Sequence, residues 1–238
     1  PVTSSRVSDA FNAADQIEFS GGKKNTINFE FIKGRLKARY NASSPQTASR
    51  YFEKLYIDIP SHENKYAYII ALKANGQTLQ ALNLIDEILT KFPKNLILNI
   101  TKSEILLSGQ QLARAEQSIE KVLTISPGNY PASIIQSKIL SAKKEIIKAE
   151  EVLRDLLIKK NRDPSLWMQL SEVQRAGKNI VGYHLSRGEY YLLIGDFENA
   201  LNQFQFALRL SGNSFQASET IITKIKFAQE RLGNKRGF

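Results

Sequence analysis

Cysteine is absent from the 238 residues, which excludes disulfides and thiolate chemistry. Histidine occurs only at His62 and His184, too few to assemble the three or four closely spaced ligands of a zinc site. Glycine and proline number 13 and 7, together about 8% of the chain against an average near 12%. A chain this poor in turn residues is read as helical. No uncharged apolar run approaches the roughly 18 residues that a membrane span needs, so membrane insertion is not expected. No basic-then-apolar leader precedes the first polar residues, and the start at Pro1 is read as that of a fragment or a processed protein.

What is present in excess is positive charge: 33 Lys and Arg against 23 Asp and Glu, a net +10. Lys23, Lys24, Lys33, Arg35, Lys37 and Arg39 face only Glu30 in their stretch, and Lys224, Lys226, Arg231, Lys235 and Arg236 gather near the end. Such runs are usually solvated faces; an acidic protein partner and nucleic acid are the alternatives. No aromatic stacking series interleaves these cations, as single-strand binders require, so nucleic acid is not expected as a partner.

Apolar and small residues recur every 34 positions. Ala81, Ala115 and Ala149 set the period; Ile85, Ile119 and Leu153 follow four residues on, then Ile88, Val122 and Leu156 three later. Leu72, Leu106 and Leu140 keep the same step upstream, as do Ser103, Ser137 and Ser171, and Pro93 and Pro127 close two units. Ala48, Phe52, Leu55 and Pro60 lie 33 before their counterparts. This is the pattern of the tetratricopeptide repeat, a helix–turn–helix of 34 residues. Small residues mark where two helices cross closely, large ones where their ridges interlock, and proline where a helix must stop. The step from Ala149 to Ala200 is 51, one and a half periods. The helix over 180–194 is therefore expected to be the second helix of one unit and the first of the next.

The spacing predicts an all-α tetratricopeptide-repeat solenoid of about 13 antiparallel helices, over 4–17, 25–42, 45–58, 62–75, 77–92, 95–108, 111–125, 130–143, 145–160, 164–177, 180–194, 196–210 and 214–232. Residues 1–24 are read as an N-terminal helix and linker, 25–212 as the repeat array, and 213–238 as a capping helix and tail.

Chemistry is sparse. His62-Glu63 opens a His-Glu-x-x-His pattern, but its fifth position is Tyr66; Ser61 as helix cap with Glu63 in the first turn accounts for both residues. Gly21-Gly22-Lys23-Lys24 is read as a linker, since no Gly-Lys-Ser/Thr phosphate loop or nucleophile elbow exists. Asn41-Ala42-Ser43 and Asn99-Ile100-Thr101 match the glycosylation sequon. No catalytic residue, metal ligand or cofactor is assigned to this chain.

The remaining candidate is a groove lined by the first helix of each unit. The repeat register puts Tyr66, Ile70, Lys73, Glu104, Lys138, Met168, Glu172 and Arg175 there, accompanied by Ile97, Ile100, Leu107, Ile134 and Ser141; the alternative is that several of these pack between units. A carboxylate clamp of the co-chaperone type is disfavoured, because its Lys and Asn positions read Tyr66, Ile70, Ile97 and Thr101.

The stretch Tyr183–Asp196, continuing into Ala200-Leu201, Gln203-Phe204 and Ala207-Leu208, resembles the closing repeats of the periplasmic β-barrel assembly-enhancing zinc metalloproteases of Gram-negative bacteria. Pro1–Val7 resembles the stretch that follows their protease domain. The resemblance implies a periplasmic fragment whose catalytic half, with its zinc, lies elsewhere. It also implies a role in docking outer-membrane proteins or their assembly machinery, and in seating against the protease. The alternative is a free-standing scaffold or co-chaperone adaptor.

Overall fold

The computed structural model describes residues 26–40, 44–212 and 215–236, with the side chains in them except those of 215–217 and 234–236. Among these residues there are twelve α-helices and no strand: α1 (Ile27–Tyr40), α2 (Pro45–Asp58), α3 (His62–Ala74), α4 (Thr78–Lys91), α5 (Leu96–Ser108), α6 (Leu112–Ile125), α7 (Tyr130–Ala142), α8 (Ile146–Lys159), α9 (Pro164–Ala176), α10 (Ile180–Leu193), α11 (Phe197–Leu210) and α12 (Phe215–Arg236). From α2 to α12 each helix packs against the next, giving a solenoid of helical repeats. The helix expected over 4–17, the linker at 21–24 and the Asn41 sequon lie outside the described residues.

Local chemistry fixes the helix ends at the same 34-residue step. Ser61, Asn95, Asn129 and Asp163 cap α3, α5, α7 and α9, each side chain accepting a bond from a first-turn backbone N–H. Pro45, Pro131 and Pro164 sit in first turns, where a missing N–H costs nothing. Between the helices of a unit, one backbone bond repeats: Gln77, Gln111, Glu145 and Asn179 donate N–H to the carbonyls of Leu72, Leu106, Leu140 and Gln174. This is a Schellman closure, which places a left-handed residue just past the helix. Those residues are Gly76, Gln110, Lys144 and Lys178, with φ of 74°, 58°, 68° and 59°.

The next left-handed residue is Gly195, φ 78°, and the next such bond runs from Asp196 N–H to the Tyr191 carbonyl. Both come 17 positions after their predecessors, half a period. α10 correspondingly packs against α9 on one side and α11 on the other, as the spacing of Ala149 and Ala200 leads one to expect. Three of the left-handed positions carry residues with a Cβ. Glycine at Gln110, Lys144 and Lys178 is expected to raise stability, by about 0.5–1 kcal/mol each, since the left-handed conformation costs an L-residue roughly 1–2 kcal/mol and glycine gives part of that back as unfolded-state entropy. Thermal unfolding of the three single variants checks this.

The helix crossings use the small residues that the repeat marks. Ala81, Ala115, Ala149 and Ala200 are completely buried, as are Ser103 and Ser171, and Ser137 Oγ donates directly to the Ala149 carbonyl across the α7–α8 crossing at 3.0 Å. Larger side chains fill the spaces between: Phe52, Ile85, Ile119 and Leu153 in the successive second helices, and Phe204 in α11. At the first unit the arrangement departs from the simple hairpin. α1 packs mainly against α3 rather than α2. Gly34 makes this possible: a Cβ there would stand 2.4 Å from the Glu63 carbonyl oxygen. Phe31 of the same helix is fully enclosed against Tyr66, His62 and Phe92.

Candidate functional site

The first helices α3, α5, α7 and α9, with α1 before them, carry the side chains from which a groove could be built. Over α1, α3 and α5 several charges are tied to one another, beside an open pocket of about 420 Å³ bordered by Arg35, Arg39, Ile70 and Lys73. Arg35 donates Nη1 to Glu104 Oε1 and Nη2 to Oε2, both at 3.2 Å, and Lys73 Nζ donates to Oε2 at 2.7 Å. Arg35 Nη2 also donates to Thr101 Oγ1 at 2.8 Å and to the Tyr66 hydroxyl at 3.1 Å, while that hydroxyl lies 2.6 Å from Thr101 Oγ1. Burial would push the Glu104 carboxyl up, but Lys73 and Arg35 outweigh it and hold it below the usual range. Burial pushes the Tyr66 phenol up despite the Arg35 charge. For Arg35, burial works against the charge, and Tyr66 and Glu104 more than compensate, so the guanidinium is held firmly protonated.

The basic run in α1 is accordingly not a bare solvated face. Lys33 and Lys37 both pair with Glu63 of α3, and Arg35 pairs with an acid 69 residues away. The sequence placed Glu63 in a first turn, which is correct, and had no means of seeing that it serves a second helix.

The apolar candidates are absorbed by packing between units. Tyr66 is fully buried and Ile100 nearly so; Ile70, Ile97 and Leu107 pack against that core, and Ile134 against the next. First helices of adjacent units interlock there, and side chains that the register aimed into open space fill the seam. Lys73 and Glu104 are occupied with each other and with Arg35. Tyr66 and Ile100 therefore offer a partner little free surface, whereas Ile70 and Lys73 border the open pocket on α1 and α3.

The stretch over α7, α9 and α10 is different. Lys138 is exposed and makes no ion pair with any described residue. It borders a pocket of about 350 Å³ shared with Ser137, Ser141, Gln169, Glu172 and Val173. Gln169 Oε1 is buried there without a hydrogen-bond partner. Glu172 and Arg175 are exposed and paired to each other at 2.6 Å. Met168 is half-buried and meets Arg187 of α10, whose Nη1 lies 3.2 Å from its sulfur. Behind them the α9–α10 seam is polar: Gln174 and Ser186 are buried, their side chains bonded at 2.7 Å. Gln169 and Arg187 were not singled out by the repeat register. Arg187 could have been found, because α10 doubles as a first helix and its residues then also line the surface.

The two histidines are ordinary packing residues. His62 lies between the Phe31 and Phe92 rings, and His184 stacks on Phe206 with Nδ1 2.9 Å from Gln203 Oε1. No three His, Asp or Glu side chains converge among the described residues. No described helix is long and apolar enough to cross a membrane.

No protein-family model matches the chain, and no curated protein matches it in sequence. Solved structures match its shape. A tetratricopeptide repeat protein from Parabacteroides merdae aligns with a TM-score of 0.51 and 16% identity, over 94% of this chain and 90% of its own. A thermophilic tetratricopeptide protein of Thermus thermophilus aligns with 0.51 and 19% identity, over 82% and 98%. Human IFIT1, solved as a dimer with m7Gppp-AAAA, aligns with 0.53 and 17% identity over 98% of this chain, which spans 55% of its length. Together with the 34-residue caps, closures and crossings, these likenesses give the chain the tetratricopeptide-repeat fold.

Proposed function

We propose that this chain is a protein-interaction scaffold that captures a segment of a partner polypeptide on the first-helix surface of α7, α9 and α10. The observation that carries the reading is the pocket between α7 and α9 with an unpaired cation and an unbonded acceptor at its edge. Over α1, α3 and α5, Arg35 and Lys73 are paired with Glu104, and Lys33 and Lys37 with Glu63. Over α7 and α9 an unpaired Lys138, an orphaned Gln169 oxygen and a pocket lined by Ser137, Ser141, Glu172 and Val173 remain open. Buried polar atoms are nearly always bonded, so an acceptor left without a donor marks a place for a ligand's N–H.

The finer reading is that the scaffold serves a periplasmic zinc endopeptidase, docking outer-membrane proteins or their assembly machinery; the zinc would belong to the protease domain. Its support is the resemblance of Pro1–Val7 and Tyr183–Leu208 to the two ends of that family's repeat region. A free-standing scaffold uses the same surface equally well. The coding sequence upstream of Pro1 separates the two: an in-frame His-Glu-x-x-His supports the first, and a start codon close to Pro1 supports the second.

The surface itself is tested by charge reversal. Lys138→Glu and Arg175→Glu are expected to reduce partner capture at least fivefold while leaving the melting temperature within about 2 °C, as exposed substitutions change stability by no more than about 0.5 kcal/mol. Co-purification of partners from native extract with each variant makes the comparison. Capture unchanged by both moves the site off this surface. RNA binding that falls steeply with salt would instead favour nucleic acid, the ligand class in the human structure above.

A further inference from the structure

We propose that Arg187 receives a carboxylate of the bound partner, so that the scaffold selects acidic segments. The inference rests on the surface reading above and adds the partner's chemistry. Arg187 is half-buried on α10. Its Nη2 donates to the Tyr191 hydroxyl at 2.6 Å, and the guanidinium lies over the Tyr191 ring, 5.0 Å from the centroid. Nη1 reaches only the Met168 sulfur, a weak acceptor. Nε is buried with no hydrogen-bond partner. No carboxylate of a described residue lies within ion-pair distance of Arg187.

An arginine cannot shed its charge, and a partly desolvated cation without a counter-ion is unfavourable. The same molecule shows the completed arrangement. Arg35 is likewise held by a tyrosine hydroxyl, Tyr66, with its cation near that ring, and there a carboxylate, Glu104, takes both of its Nη groups. At Arg187 the tyrosine is present and the carboxylate is missing. Guanidinium donors fit carboxylates two at a time, and the thioether of Met168 is the contact that such a group displaces. The nearest acid along α9, Glu172, is engaged by Arg175. Lys138 supplies further positive potential on the same surface, and the chain as a whole carries +10.

The test selects a phage-displayed random dodecapeptide library on the full chain and on its Arg187→Gln variant. Peptides selected on the wild type should be rich in Asp and Glu. Synthesised with a fluorophore, they should bind Arg187→Gln at least tenfold more weakly by anisotropy, with Arg209→Gln, which alters an exposed cation over Phe206, as the unaffected control. Replacing their acids by amides should cost the wild type as much and the Arg187→Gln chain little. If Arg187→Gln does not fold, Arg187→Lys takes its place; it keeps the charge without the planar fork and should still weaken binding severalfold. Selected peptides with no excess of acid, or equal affinity for wild type and variant, overturn the role of Arg187 and leave the surface reading standing. Failure to select any peptide overturns both.

Discussion

Gly188→Leu is expected to destabilise the chain by about 3 kcal/mol, at the upper end of the penalty for overpacking. A Cβ at this position would stand 2.2–2.7 Å from three carbons of the Phe204 ring, and that ring is fully buried. Phe204→Ala should cost about 3–5 kcal/mol, the range for emptying a buried aromatic site. Neighbours sharing one space are not additive. Leucine at 188 should therefore partly fill the void that alanine leaves at 204, and the double variant should be more stable than the sum of the two losses. Urea unfolding of the four proteins reads all three values. Additivity would mean that α10 and α11 do not meet at this point.

Glu104→Gln should be the second large effect, about 2 kcal/mol at neutral pH. Removing one member of a fully buried ion pair costs about 3–5 kcal/mol. The discount follows from Arg35, whose side chain stays 36% exposed and is screened by water. The variant leaves Arg35 and Lys73 facing an uncharged amide. The pH dependence has a definite sign. Glu104 has a lower pKa folded than unfolded, so its contribution is present above the ordinary glutamate value near 4.5 and disappears as pH falls through the depressed folded value. The gap in melting temperature between wild type and Glu104→Gln should be largest near pH 7 and close only as pH falls below the ordinary glutamate value. A gap that is independent of pH would assign Glu104 a packing role instead.

These two sites also mark where sequence reasoning reached and where it stopped. Ala200 was legible because close crossings require small residues at a fixed spacing, and that constraint is written locally. The helix ends were legible for the same reason: Asn95, Asn129 and Asp163 cap from within one turn. Glu104 was placed on the first-helix surface by register alone. Its partners were not visible, since Arg35 lies 69 residues upstream and no local rule couples them. The seating of α1 on α3 was missed because it depends on Gly34 meeting the Glu63 backbone, a contact outside the repeat. The left-handed turns at Gln110, Lys144 and Lys178 were hidden because the closure tolerates residues other than glycine at modest cost. Where adjacent first helices interlock, the sequence leaves groove and seam equally open: an apolar residue such as Tyr66 or Ile100 looks the same whether it lines open space or fills a seam.

A crystal structure of the chain tests the central claim most directly. It should show α10 shared between two units, with Ser186 bonded to Gln174 of α9 on one side and Gly188 seated on the Phe204 ring of α11 on the other, and with α7 and α9 side by side bearing an open Lys138. A closed bundle, or an α10 that packs against only one of its neighbours, would contradict it.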